Sequence, residues 1–393
     1  MRRINTLTRL ALSVLFISSC TKTRLEDYAL LWSLEMPRIS SPYVYWYGAK
    51  VMPKWGNTIV THTTLYDETG LSDNRLCGVD LDERKVVWLY PENQNERKNI
   101  VFDNKGYQHN DIFVVKYVET LPDESHLTHV AGIEIMSGKE RWCFSEPTKD
   151  NAAFYPDISG LGRDCYFIND GQRVYKADAL DGTVKLIHQE ESLRIANAPL
   201  FLSDGWIGLV RYDYGGEVSN DEVLVLNPDS YAIEKVVPLP KSFKGRCTRV
   251  INDGNVLYCS IAHNTYSFDL DNCSIVWESS NPGYDGGLEL KDGILLEAGV
   301  SSTIAFNAQN GEPVYGFPEL GADLVSVYGK RIYYLASYGE LLIMNLHSGK
   351  VLDRILCPDK GECFFGSYPT VYGDNLYIMG ITKLYCYKLR PWS

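Results

Sequence analysis

The sequence is short of positive charge. It holds 38 Lys and Arg against 50 Asp and Glu, a net charge of −12, and Arg2, Arg3 and Arg9 all precede residue 20. Without those three the balance is 35 against 50, or −15. A body that acidic repels phosphate backbones, so no nucleic-acid partner is expected, and it repels anionic lipid as well. Several chemical signatures are missing too. There is no Cys-Cys pair, no Cys-x-x-Cys, no Gly-x-Ser-x-Gly, no His-Glu-x-x-His and no phosphate-binding glycine loop. Thioredoxin-like, zinc-ribbon, serine-hydrolase, zinc-protease and nucleotide-binding readings therefore lack their residues. What is plentiful points to strands. Hydrophobic residues make up 45% of the 393, enough for a sizeable core. The 27 Tyr, 32 Gly and 17 Pro fit many short strands joined by turns.

The first twenty residues read as an address. Arg2, Arg3 and Arg9 accompany a short apolar stretch, Leu10 to Ile17, and the segment ends in Ile17-Ser18-Ser19-Cys20. A spanning helix needs roughly 20 apolar residues, so the stretch fits a signal-peptide core and not an anchor. An aliphatic and two small residues before a Cys resemble the lipoprotein box of bacteria. That resemblance implies a signal peptide over 1–19, acyl chains such as palmitate on Cys20, and a tether over 20–27. Thr21 is not the Asp that retains such proteins at the inner membrane. The expected location is the outer membrane, lipid-anchored, on its periplasmic side.

The remainder, 28–393, is repetitive. A polar residue ends an alternating apolar run, Gly or a substitute follows four later, and an aromatic follows eight later. Glu134 with Gly138 and Trp142, and Asn307 with Gly311 and Tyr315, show this in full. Asp80 leads to Trp88 and Asp269 to Trp277, while Asp178, Asn227 and Asn345 keep the polar residue. The intervals between these anchors match a four-stranded propeller blade. The reading is a hairpin whose Asp or Asn accepts turn amides and whose Gly supplies a left-handed conformation. Arg84, Tyr231 and Cys273 stand at the Gly position, so those turns are expected to be of another type or strained. A second motif counts blades independently: a turn followed by β-branched or aromatic residues recurs eight times, beginning near Gly56, Asn110, Arg163, Asp204, Asp253, Asp292, Gly329 and Gly373. The last unit lacks an outer strand. Leu30-Leu31-Trp32-Ser33-Leu34 is an apolar strand with no hairpin before it, and it is expected to close the ring, since an open edge would be exposed. The fold class is therefore all-β, an eight-bladed β-propeller; a pair of β-sandwiches is the competing architecture.

The anchor, glycine and tryptophan pattern resembles the tryptophan-docking repeat of pyrroloquinoline-quinone enzymes. The lipoprotein box, tether and eight blades together resemble the propeller lipoproteins typified by the B subunit of the outer-membrane β-barrel assembly machinery. That family implies a non-enzymatic scaffold, binding an envelope protein such as a barrel-assembly subunit, with no cofactor. No adjacent cysteines stand ready for a quinone. A glycan- or peptide-binding propeller is the alternative, and a polysaccharide-acting enzyme a third.

Nine cysteines remain after Cys20, an odd number, and Cys357 and Cys363 flank a turn suited to a hairpin-closing disulfide. His126 and His129 are expected in a solvated loop, since on a strand an i,i+3 pair faces opposite ways; no metal is expected there. Connections from second to third strand share a face with the blade-to-blade segments. Three of them read as long and acidic: 66–75, 119–129 and 212–222. Binding concentrates in long loops on a rigid scaffold. Candidate partner contacts on this face are Tyr45, Trp46, Phe154, Tyr155, Tyr212, Asp213, Tyr214, Glu217 and Tyr284.

Overall fold

The computed structural model describes residues 29–36, 52–66, 72–91, 100–147, 157–160, 165–169, 171–212, 221–240, 249–261, 264–280, 287–298, 302–318, 325–336, 340–358, 367–380 and 383–390. They form eight four-stranded antiparallel sheets arranged as an eight-bladed β-propeller. The blades are numbered here by chain order: 54–90, 100–147, 157–189, 194–238, 249–280, 287–318, 325–356 and 370–388. One 3₁₀ turn, Ser203–Gly205, is the helical element among the described residues.

Burial explains the strand chemistry. The second strand of a blade is covered on both sides, so Ile294–Ala298 is buried throughout; four of its residues are apolar, and the carboxylate of the fifth, Glu297, accepts from Ser260 and Thr265 of blade 5. Outer strands alternate, as Ser274–Ser280 does. The cores lie between neighbouring sheets: Val60 and Leu76 of blade 1 meet Phe113, Val115 and Ile133 of blade 2, and Leu296 of blade 6 meets Ile332 and Leu342 of blade 7.

Six of the seven polar anchors end a third strand, and Asn227 directly follows one. The Oδ1 atoms of Asp80, Asp178, Asn227, Asp269 and Asn345 each accept the amides two and three residues on. Glu134 is different, because its longer carboxylate accepts from Ser137 Oγ and Arg141. The expectation for Arg84, Tyr231 and Cys273 divides: they share the left-handed conformation of the turn glycines, with φ of 54°, 60° and 51°, so the turn is unchanged and the strain is real.

At four boundaries a turn glycine stands where the neighbouring blade offers an aromatic; at the closing seam Trp32 of blade 8 faces Cys386 in the same way, yet the blade 1 turn carries Arg84. Trp88 Nε1 donates 2.9 Å to the carbonyl of Ile135, Trp142 donates 3.0 Å to Ala179, and Trp277 donates 2.9 Å to Ala308. Tyr315 reaches Leu346 in the same way, through its hydroxyl at 2.6 Å. Each acceptor follows an anchor of the next blade, and each ring lies against that blade's turn glycine. A Cβ on Gly138, Gly182, Gly311 or Gly349 would come within 2.6 Å of the ring. Blades 3, 4 and 7 present no aromatic at this position, and in blade 7 Asp353 stands there, opposite Ile343. In blade 3 Lys185 faces Lys176, one residue out of step because the bulge is displaced toward Val174. Tyr231 fills the gap from the other side, with both ammonium groups over its ring at 5.1 and 5.7 Å. Lys235 donates 2.8 Å to Leu270, and Cys273 takes the glycine position opposite.

The ring closes as the sequence implies. Leu30–Glu35 pairs antiparallel with Lys383–Lys388 and completes blade 8. Blade 8 is then joined to blade 1: Thr370 Oγ1 accepts the Met52 amide at 3.2 Å, and Tyr372 donates to the Met52 carbonyl at 2.8 Å. Trp32 packs with Met52, Ile59 and Tyr377 in the seam.

Candidate interaction face

Antiparallel blades give the ring two unlike faces. One carries the tight turns between first and second, and third and fourth, strands. The other carries the second-to-third connections and the blade-to-blade segments, and it is the face the sequence nominates for binding.

Two of the three long connections turn out to be long hairpins. Thr58–Tyr66 pairs with Ser72–Asp80 in blade 1, and Ile112–Thr120 with His126–Glu134 in blade 2, all nine residues long. Asp73 and Glu119 lie within the strand ladder instead of interrupting it. The blade 2 tip is a tight turn. Leu121 N donates to Ser125 O at 2.8 Å, Glu124 takes a φ of 66°, and Asp123 accepts both the Ser125 amide and hydroxyl. Those Ser125 hydrogen bonds hold the Asp123 carboxyl below its ordinary pKa. Blade 3 is low by comparison: Asn169 Oδ1 accepts the Gly171 amide at 2.8 Å and closes its hairpin at once.

The base of the blade 2 hairpin corrects the reading of its histidines. Both lie on a strand, and His129 is 6% exposed. Its ring stacks on Tyr117 with centroids 4.6 Å apart. Nδ1 lies 2.8 Å from Ser145 Oγ and Nε2 lies 3.0 Å from Glu119 Oε2, while Cys143 Sγ is 3.7 Å from Nδ1. The imidazole has both nitrogens engaged, and Ser145 sits on an outer strand in the regular ladder rather than on a strained turn. The arrangement ties three strands together below the tip. Among the described residues no group of three His, Cys, Asp or Glu is placed to hold a metal ion.

A second cluster stands under the third connection. Arg211 and Glu222 flank segment 213–220, and their side chains are paired. Arg211 also donates 3.1 Å to Glu190 of blade 3, whose Oε1 lies 2.9 Å from His188 Nε2. Burial works against the Arg211 charge, but the hydrogen bonds to Glu222 and Glu190 outweigh it and raise the guanidinium pKa. Glutamates from two blades thus fix the base of the connection. Sequence spacing had no means of finding this network or the His129 brace, because both depend on which strands lie side by side.

Tyr212 is 3% exposed and packs among Val223, Val237, Tyr266 and Phe268 between blades 4 and 5. Its ring fills core, so it is not a surface contact. Tyr45, Trp46, Phe154, Tyr155, Asp213, Tyr214, Glu217 and Tyr284 lie outside the described residues, as does Cys20. Cys357 is disulfide-bonded, and Cys363 lies outside the described residues. Cys77, Cys259 and Cys386 are buried thiols on inner strands.

No family model matches the chain, and no curated protein is detectably similar to it. Solved structures share the fold. BamB from Moraxella catarrhalis superposes with a TM-score of 0.55 at 14% identity, over 92% of this chain and 100% of that one. The computationally designed Ika8 protein gives 0.57 at 12% identity, covering 89% and 98%. Sqt1 of Chaetomium thermophilum, solved bound to the N-terminus of ribosomal protein L10, gives 0.58 at 10% identity, covering 92% and 100%. At these identities the likeness is one of architecture.

Proposed function

We propose that the protein is a lipid-anchored propeller at the periplasmic side of the outer membrane, a non-catalytic scaffold for another envelope protein, acting in outer-membrane protein assembly. The observation that carries the reading is the uneven rim. Nine-residue hairpins of blades 1 and 2 rise beside the short connection of blade 3, with the His129 network bracing blade 2 and the Arg211 network bracing blade 4 from below. A rigid, stepped and acidic rim suits recognition of a folded, basic protein surface. The fold shared with BamB supports the assembly role, and Sqt1 is a propeller that holds a segment of another protein.

The test is an in-cell crosslink and pull-down of the lipidated protein from intact envelopes. Recovery of a barrel-assembly subunit in near-equal amount is the expected result. Recovery of the well-expressed bait alone would overturn the scaffold and move glycan binding to the front.

A further inference from the structure

The closing strand fixes the face of the ring from which its N-terminal end departs. Leu30 pairs with Tyr387 and Glu35 with Lys383, so the strand runs from the tight-turn face toward the hairpin face. Its start is pinned there. The Ala29 carbonyl accepts the Lys388 amide at 3.0 Å, and the Asp374 carbonyl of the first turn accepts the Leu389 amide at 2.7 Å. Residue 29 therefore leaves the ring on the tight-turn face, at the rim of blade 8.

Charge on that face is uneven. Near the exit, Lys330, Lys350, Lys388 and Arg390 accompany the turns of blades 7 and 8, with Asp374 paired to Lys388 and Asp353 to Arg390. Across the ring, the turns of blades 3 to 6 carry Asp178, Asp181, Asp229, Asp253, Asp269, Asp271 and Asp292. An acidic arc is repelled from anionic lipid, whereas the lysine-bearing arc is not.

Nine peptide steps separate Cys20 from Ala29, a reach of at most about 33 Å even when fully extended. We infer that the tight-turn face is the bilayer-facing surface, approached at the blade 7–8 rim, and that the raised hairpins of blades 1 and 2 point away from the membrane. The occupant of this face is the phospholipid surface itself. The inference rests on lipidation at Cys20 and deepens the scaffold reading, because it assigns the hairpin face to partners in the periplasmic space.

The experiment uses the full-length lipidated protein in vesicles of phosphatidylethanolamine and phosphatidylglycerol, with an alkyne-tagged phospholipid. A benzophenone side chain is placed at Asp374 on the proposed near rim, at Asp253 on the acidic arc, or at Asp123 on the blade 2 hairpin. After irradiation, lipid adducts are expected at Asp374, several-fold fewer at Asp253 and background levels at Asp123. Adducts at Asp123 equal to those at Asp374, or at neither position, overturn the orientation. Flotation separates the two ideas. Protein that fails to float, or that floats equally well as Cys20→Ser, refutes the lipid anchor and the orientation with it. Protein that floats through Cys20 but labels at Asp123 refutes the orientation alone.

Discussion

The indole of Trp88 and the turn glycine Gly138 meet across the first blade boundary with no room between them: a Cβ on Gly138 would stand 2.5 Å from ring Cδ2. Gly138 also has a φ of 71°, so two separate demands fall on one residue. They can be told apart in this molecule. Gly311 lies against Trp277 in the same way, whereas Gly293 has a φ of 75° and nothing within 4 Å of its missing Cβ. Gly293→Ala should cost about 1 kcal/mol, the conformational part alone. Gly311→Ala should cost a further 1–3 kcal/mol, as for an overpacked contact. Urea unfolding of the two variants measures the difference, and equal losses would mean that the indole contact contributes nothing.

Ring closure makes the N-terminal strand a global element. Removing residues 28–36 bares the Lys383–Lys388 edge and uncovers the seam of Met52, Ile59 and Tyr377. The whole domain should then melt at a lower temperature, in one transition, by calorimetry. A truncated protein with the parent melting temperature would show that blade 8 is stable with three strands.

Much of this was legible because the repeat is local. Anchor, glycine and aromatic fall within nine residues, so Asp269 and Trp277 announce a turn and an outer strand without knowledge of any neighbour. The closing strand was legible by subtraction, from a last unit one strand short. The failures come from neighbours in space or from a local pattern that fits two structures. In sequence Tyr231 is only a departure from glycine; its cause lies in blade 3, where the bulge shift puts Lys185 in the tryptophan's place. The acidic stretch around Glu119 looked like loop because charge alternates with apolar residues, which is also how a hairpin exposed on one side reads. His129 is buried because that stretch is strand, a placement its i,i+3 spacing from His126 does not reveal. A periodic sequence specifies its own blade; what fills the space between blades depends on pairs that the period does not contain.

Asp269 offers a test of the anchors by pH. Its carboxylate accepts the Asn272 amide and side chain and the Asp271 amide, and these bonds hold its pKa below the ordinary value. A depressed carboxylate pKa stabilises the fold above the unfolded value of about 4. That contribution is lost as pH falls from there through the folded value. Asn227, Asn307 and Asn345 do the same work without a charge. Asp269→Asn should leave stability at pH 7 within about 0.5 kcal/mol of the parent. It should also reduce the loss between pH 5 and pH 3, measured by urea unfolding at each pH. An unchanged pH dependence would mean that the Asp269 charge is immaterial to folding.

Arg211 joins Glu190 of blade 3 to Glu222 of blade 4, with side chains that are 21%, 12% and 30% exposed. Its removal leaves two partly buried carboxylates without their shared cation, Glu190 keeping His188 Nε2 at 2.9 Å. Arg211→Met should cost about 1–3 kcal/mol, less than for a fully buried pair because all three side chains keep some solvent. The additional change Glu190→Gln should recover part of that loss, since it removes one of the stranded charges. A double variant no more stable than Arg211→Met would show that the two glutamates are independently solvated.

The blade 4–5 boundary permits the docking geometry to be rebuilt. Where an aromatic docks, the third-strand residue facing it is small: Gly78 faces Trp88, Gly132 faces Trp142, Ser267 faces Trp277 and Ala305 faces Tyr315. In blade 4 that place is Val225, which faces Lys235, and the opposing turn carries Cys273 in place of glycine. An indole at 235 would therefore meet a β-branched side chain on one side and a Cβ on the other. Lys235→Trp alone should destabilise by about 1–3 kcal/mol through overpacking. The same change in a Val225→Ala, Cys273→Gly background should stabilise, because the ring then has space and its N–H has the Leu270 carbonyl that Lys235 now uses. The coupling between tryptophan and background should exceed about 1 kcal/mol in a double-mutant cycle, well beyond the additivity expected of independent sites. If tryptophan has the same effect in both backgrounds, small residues and turn glycines do not govern docking, and their coincidence with aromatics at four boundaries would need another cause.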